Sequence, residues 1–239
     1  MEIRRFFVEP NFRNGEFVTI TGDEFLHLKK VLRMKTGYKI IVCFNDGFEH
    51  RCTINEIEND YAIAKIDESI KVSDPLFDIT LFPSILKGGK LDLVIQKCVE
   101  LGIKSVTPFV SRNTSEKKFN AERGNRISFE AAKQCGSAFL SVVNEAVDFD
   151  EMVSEFKNFD SVYFFYEDEN MESVSALEVP KGKIAIVIGS EGGFTSEEVE
   201  KAKLNGAKIL SLGKRILRAE TASIVAASLI LYKMGGMDL

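Results

Sequence analysis

Two short loops, each following an apolar run that ends in glycine, hold the residues of this chain best suited to chemistry. The first, Gly189-Ser190-Glu191-Gly192-Gly193-Phe194, sets a carboxylate among glycines whose backbone N–H groups a ligand can approach closely. It is not a phosphate loop. Gly193 is followed by Phe194 where Lys-Ser/Thr would be needed, and Glu191 would stand beside any bound phosphate. Nor is it a nucleophile elbow, because Ile188 occupies the position two before Ser190 that requires glycine. A ligand bearing positive charge fits better. The second loop runs Leu212-Gly213-Lys214-Arg215-Ile216-Leu217-Arg218-Ala219-Glu220-Thr221. It places cations at the start of a helix, where they oppose the helix dipole and need another reason to be present. Arg218 and Glu220 are the candidates for polar work; the alternative is an ion pair of Arg218 with Glu220 or Glu191 that only orders the loop.

These loops need strands and helices to hold them. Ile184-Ala185-Ile186-Val187-Ile188 is an unbroken β-branched run that suits a strand buried on both faces. Thr195 and Glu198 have capping-box spacing and open a helix that Gly206 closes. A second buried strand is expected over 208–212 and a small-residue helix over 222–232. Ligands of α/β sheets bind at the carboxyl ends of strands, so the two loops, on adjacent strands, should share one cleft. Upstream, strands at 78–83, 105–110 and 161–167 alternate with helices at 91–101 and 125–139. In the first of these helices Leu91, Val94, Ile95 and Cys98 form one apolar stripe. Such alternation predicts an α/β domain with a mostly parallel sheet covered by helices.

The first seventy residues read differently. Strands are expected at 5–8, 16–20, 38–44, 48–57 and 61–66, with a hairpin turn at Asn45-Asp46-Gly47 and a helix opened by Thr21 with Glu24 in capping-box spacing. Short strands this dense suggest a small β-barrel of a type that often binds oligonucleotides. Ser73-Asp74-Pro75 breaks the pattern and divides the chain into 1–72 and 73–239.

The net charge of −5 conceals an asymmetry. From Glu145 to Glu172 ten acidic residues face one lysine, a balance of −9, so the remainder of the chain sums to +4. Residues 1–40 carry eight basic and five acidic side chains, and 86–136 carry ten against five, as a polyanion-binding face would. Cys43, Cys52, Cys98 and Cys135 are widely spaced and His27 and His50 are the only histidines, which points away from a zinc site or a disulfide framework. The amino-terminal residues lack the apolar region of a signal peptide, and no apolar run has membrane-spanning length, so a cytoplasmic protein is expected.

The two loops together resemble the signature of the RsmE family, SPOUT-class methyltransferases of 16S ribosomal RNA. The likeness continues in Arg4-Arg5-Phe6-Phe7, in His27 with Val31-Leu32-Arg33-Met34-Lys35, in Gln96-Lys97-Cys98-Val99-Glu100-Leu101-Gly102 and in Glu130-Ala131-Ala132-Lys133-Gln134. Two positions depart from the family pattern: Ser190 stands where proline is usual, and Ser137 where arginine is. The resemblance implies a PUA-like RNA-binding barrel followed by a SPOUT methyltransferase domain with a deep trefoil knot. It implies a metal-free transfer of methyl from S-adenosylmethionine to N3 of a uridine in 16S rRNA of the small ribosomal subunit. The cofactor contacts would be Gly189, Glu191, Gly192, Gly193, Leu212, Gly213, Ile216, Leu217 and Arg218. Arg218 would stabilise the uracil anion, the base would be Glu220, another side chain or water, and Arg4, Arg5, Arg33, Lys35, Lys97 and Arg112 would be the RNA contacts. A homodimer is implied as well, through the last helix, which is apolar around much of its circumference. The competing reading is a non-catalytic RNA-binding or ribosome-assembly protein that keeps the fold.

Overall fold

The computed structural model describes residues 3–72, 77–167, 172–173, 177 and 182–237. Its contacts group into two compact units, Met1–Pro75 with Lys133–Phe139, and Leu76–Ala132 with Leu140–Leu239. The boundary expected at Ser73-Asp74-Pro75 lies outside the described residues.

The first unit is built on β1 (Arg4–Phe7), β2 (Arg13–Asn14), β3 (Phe17–Ile20), β4 (Lys39–Cys43), β5 (Phe48–Ile57) and β6 (Ala62–Lys71), in the order β1-β4-β5-β6-β3-β2. Only the β1–β4 pair is parallel. The edge strands β1 and β2 are not paired with each other, so the barrel is partly open. Asn45 (φ 59°) and Gly47 (φ 88°) take the left-handed conformations that the hairpin turn between β4 and β5 requires. Alternate residues point inward, and Phe6, Val18, Ile20, Ile40, Val42 and Ile54 are fully or almost fully buried. Each such side chain contributes about 1.5–3 kcal/mol relative to exposure.

Helix α1 (Gly22–Leu26) starts after Thr21, but Thr21 makes no side-chain cap, so the expected capping box is absent. The helix widens at once into a π-helical turn, His27–Val31, and Arg33 follows in a left-handed conformation at φ 50°. The regular helix read from Phe25, Leu28 and Leu32 is therefore one α turn and one π turn, which still bury Phe25 and Leu28.

In the second unit, β7 (Phe77–Pro83), α2 (Lys90–Glu100), β8 (Ile103–Val106), β9 (Phe109–Val110), α3 (Ala121–Cys135), β10 (Val142–Val143), β11 (Val147–Asp148), α4 (Phe149–Ser154), β12 (Ser161–Phe165), β13 (Glu172–Ser173), β14 (Ile184–Ile188), α5 (Ser196–Leu204), β15 (Lys208–Ser211) and α6 (Ala219–Lys233) follow in turn. Among the described residues the main sheet has the order β10-β8-β7-β14-β12-β15-β13, and all its pairs are parallel. Its β14 shows why a continuous apolar run was required. Ile184, Ile186 and Ile188 face the cluster formed with α2 and α6, while Ala185 and Val187 face the cluster formed with α4 and α5.

Several elements shift from their expected bounds. Helix α3 begins and ends four residues earlier than 125–139, and α6 begins three residues earlier than 222. The capping box of α5 forms as expected, with Thr195 accepting from the Glu198 N–H and Glu198 accepting from the Thr195 N–H. No helix among the described residues is long and apolar enough to cross a membrane. Burial pushes the Cys43 thiol up to about 11 and the Cys52 and Cys98 thiols to about 12, which keeps these side chains protonated.

Candidate active site

The expectation that two adjacent strands carry the two loops is corrected by the strand order. β14 and β15 are separated by β12, which pairs with both. Three carboxyl ends therefore surround one cavity of about 400 Å³. β12 contributes Phe165, Tyr166 and Glu167, β14 contributes the turn after Ile188, and β15 contributes the loop from Ser211 to Arg218, closed by Ala219 and Ala222 of α6. Tyr166 and Glu167 were not singled out by sequence, because nothing local marks 161–167 as the strand between two glycine loops.

The first loop is a tight turn. The Gly193 N–H donates to the Ser190 carbonyl at 3.0 Å, and Gly193 has φ 63°. The left-handed backbone favours glycine there, and a Cβ at Gly193 would lie 2.7 Å from Glu167 Oε1, the end of an exposed side chain that would have to swing aside. At Gly189 a Cβ would sit 2.8 Å from the Phe194 ring. That ring is fixed from below, 4.2 Å from Phe164 and stacked on Phe109 at 6.1 Å between centroids.

Gly192 has a different role from the one expected. It is absent from the cavity lining; its carbonyl accepts from Asn113 Nδ2 at 3.0 Å, and a Cβ there would meet Asn113 Cβ and its carbonyl oxygen, each at 2.9 Å. The segment from Ser111 to Thr114 thus clamps the turn from outside. Ser190 joins this clamp, donating to the Asn113 carbonyl at 3.2 Å and accepting from the Gly192 N–H at 3.3 Å. Serine at this departure from the family pattern therefore anchors the turn by hydrogen bonds. Ser137, the second departure, closes its own turn by donating to the Phe139 carbonyl and accepting from the Phe139 N–H.

Leu212, Gly213, Ile216, Leu217 and Arg218 line the cavity, together with Lys214 and Arg215. Ile216 is 87% exposed, a large apolar side chain at the cavity with no cover from the chain itself. Arg218 occupies the N-cap position of α6 without capping it and has no ion pair among the described residues. The alternative pairings to Glu191 and Glu220 are not made. Both carboxylates turn instead to Lys90, whose Nζ lies 2.8 Å from Glu191 Oε1 and 3.8 Å from Glu220 Oε2. Burial alone would raise the Glu191 carboxyl, but hydrogen bonds from Lys90 and from the backbone hold it below the usual carboxylate range. Glu220 does not line the cavity, and its Oε2 is buried without a hydrogen bond.

The expected RNA contacts fall into two groups. In the first unit Arg33 and Lys35 are exposed. Arg5 is not displayed: its side chain is 11% exposed, its guanidinium pairs with Glu49 at 2.8 Å and donates to Cys43 Sγ, so it serves the barrel. Arg4 is exposed on the edge strand β1. In the second unit Lys97 pairs with Glu100 at 2.7 Å, and Arg112 pairs with Glu197 at 2.7 Å while its backbone N–H donates to Glu198 Oε1. These two have structural partners, which weak, exposed ion pairs would release at small cost. Among the described residues no group of three or more His, Cys, Asp or Glu is placed to hold a metal.

An all-parallel sheet with a ligand-sized cavity at its strand ends, in a chain that also carries a small β unit, defines a class that comparison makes specific. Residues 72–231 match the model of an RNA methyltransferase domain and residues 20–67 that of an RNA methyltransferase PUA domain. The chain is an RNA methyltransferase by fold and domain pairing. It is 32% identical to the ribosomal RNA small subunit methyltransferase E of Bacillus subtilis, over 97% of each chain. It is 31% identical to the enzyme of that name from Mesomycoplasma hyopneumoniae, over 92% of this chain and 95% of the relative. The crystal structure of a ribosomal RNA small subunit methyltransferase E from Neisseria gonorrhoeae bound to S-adenosyl methionine superposes with a TM-score of 0.84 at 27% identity, covering 97% of this chain and 98% of the other. The chain belongs to the ribosomal RNA small subunit methyltransferase E family.

The cavity suits the cofactor of that family. Glu167 and Glu191 stand at its rim against Lys214, Arg215 and Arg218, so it offers both signs of charge to a ligand with cationic and anionic ends. The glycine cradle at Gly193, which a Cβ would fill, leaves room for close contact with its backbone.

Proposed function

We propose that this protein transfers the methyl group of S-adenosylmethionine to N3 of a uridine in 16S rRNA of the small ribosomal subunit, in the cytoplasm and without a metal. The observation that carries this reading is the cavity itself: three strand ends, two glycine loops and an unpaired arginine meet there in a chain of this family. Bound cofactor supplies an electrophilic methyl on a sulfonium. Gly189, Glu191, Gly193, Leu212, Gly213, Ile216 and Leu217 hold it, Gly192 acting through the Asn113 clamp.

Uracil N3 carries a proton and is a poor nucleophile at neutral pH. Arg218, which pairs with no carboxylate among the described residues, can stabilise the negative charge that develops on a uracil oxygen as the proton leaves. The base is Glu220, another side chain or water. Glu220 would have to leave Lys90 and turn to the cavity to serve. Arg33 and Lys35, with Arg4 of the same unit, dock the RNA, and Lys97 and Arg112 add contacts from the methyltransferase unit.

The active unit is a homodimer. Leu229 and Tyr232 of α6 remain exposed although Ala226, Ala227, Ile230 and Leu231 on the same helix are buried, so α6 still presents an apolar face for a second copy. The test is transfer of labelled methyl to small subunits from a strain lacking the modification, followed by mapping of the product, with sedimentation of the same preparation. Label in N3-methyluridine from a dimer is expected. Absence of transfer sinks the catalytic reading, and full activity from a monomer sinks the dimer.

A further inference from the structure

Lys90, Glu191 and Glu220 come from three separate parts of the chain and meet beside the cofactor cavity. Lys90 opens α2 directly after two consecutive left-handed glycines, Gly88 and Gly89. Glu191 belongs to that loop and Glu220 to the first turn of α6. One ammonium therefore faces two carboxylates. The nearer is hydrogen-bonded at 2.8 Å; the farther, at 3.8 Å, is beyond hydrogen-bond reach and leaves Oε2 buried and unsatisfied. Lys90 with its two carboxylates carries a net single negative charge, and Glu191 brings it to a cavity wall that Lys214, Arg215 and Arg218 also line.

The reaction changes its cofactor's charge by one unit. S-adenosylmethionine carries a sulfonium, an ammonium and a carboxylate, a net single positive charge, whereas the demethylated product has a neutral thioether and no net charge. A partly desolvated negative site distinguishes these two ligands even though their shapes differ by one methyl group. A hydrophobic pocket alone discriminates poorly on such a difference.

We propose that the Lys90–Glu191–Glu220 cluster is a specificity device that favours the charged methyl donor over its neutral product. It rests on the reading of the cavity as the cofactor site. Lys90 offsets one of the two carboxylates, so that a single negative charge remains for the ligand. After transfer the attraction falls with the sulfonium charge, which eases product release.

The test is calorimetric affinity of the full-length protein for S-adenosylmethionine and S-adenosylhomocysteine at pH 8, for wild type and three variants. Glu191→Gln and Glu220→Gln keep size and remove charge. Each is expected to lower the preference for the donor by about 3- to 10-fold, mainly through weaker donor binding, as suits a cluster that is only partly buried. Lys90→Met leaves both carboxylates uncompensated and is expected to move the preference the opposite way, which loss of packing would not do. An unchanged preference in both glutamine variants, each still binding both ligands, overturns the proposal alone. Failure of the wild type to bind either ligand overturns the cofactor reading and this proposal with it.

Discussion

At the scale of single residues the site is defined by what Arg218 lacks. Sequence offers Glu191 and Glu220 as its partners, and both are claimed by Lys90, a residue some hundred positions away that no local pattern could bring forward. The arginine is left to face the cavity with its charge unspent. Replacing it with alanine should lower turnover by about 10²-fold or more if it acts as an oxyanion donor does, while calorimetry shows S-adenosylmethionine binding retained. Unaltered turnover with weakened RNA binding would make Arg218 a docking residue. The glycines teach a related lesson. Gly189, Gly192 and Gly193 read alike in sequence, yet one makes room for Phe194, one for Asn113 and one for Glu167.

At the scale of elements, those defined by their own residues were legible and those defined by partners were not. The β14 run and the Thr195 capping box follow from apolar pattern and side-chain chemistry, and both stand where the sequence puts them. The Thr21 box has the same spacing but no side-chain cap, and its helix passes into a π turn before Arg33 turns left-handed. Such a conformation is unusual for a non-glycine residue and tends to persist where a segment has work to do. It displays Arg33 and Lys35 on the outside of the first unit. Changing both to alanine should raise the concentration of small subunits needed for half-maximal methylation and reduce the salt dependence of binding. The maximal rate should hold, because lost phosphate contacts weaken ground and transition states alike. A fall in maximal rate at unchanged affinity would remove this segment from docking.

At the scale of the whole molecule, the class of sheet was legible from the alternation of strands and helices, and the strand order was not. Periodicity reports which face of a strand is buried but says nothing of its neighbours, so β12 escaped notice as the middle strand of the site, and threading of the kind the family resemblance implies leaves no mark in it. The order has a consequence for biosynthesis. β14 lies between β7 and β12, both of which leave the ribosome before it, and β15 pairs with the other edge of β12 later still. A nascent chain that lets β7 and β12 join directly has closed the slot that β14 must enter, so the productive route keeps them apart until the last quarter of the chain arrives. Parallel, non-local pairing of this kind is intrinsically slow. Pulse-labelled hydrogen exchange during refolding should show β12 amides gaining protection no sooner than those of β14; early protection of β12 alone would mean that β14 forces its way into a sheet already made.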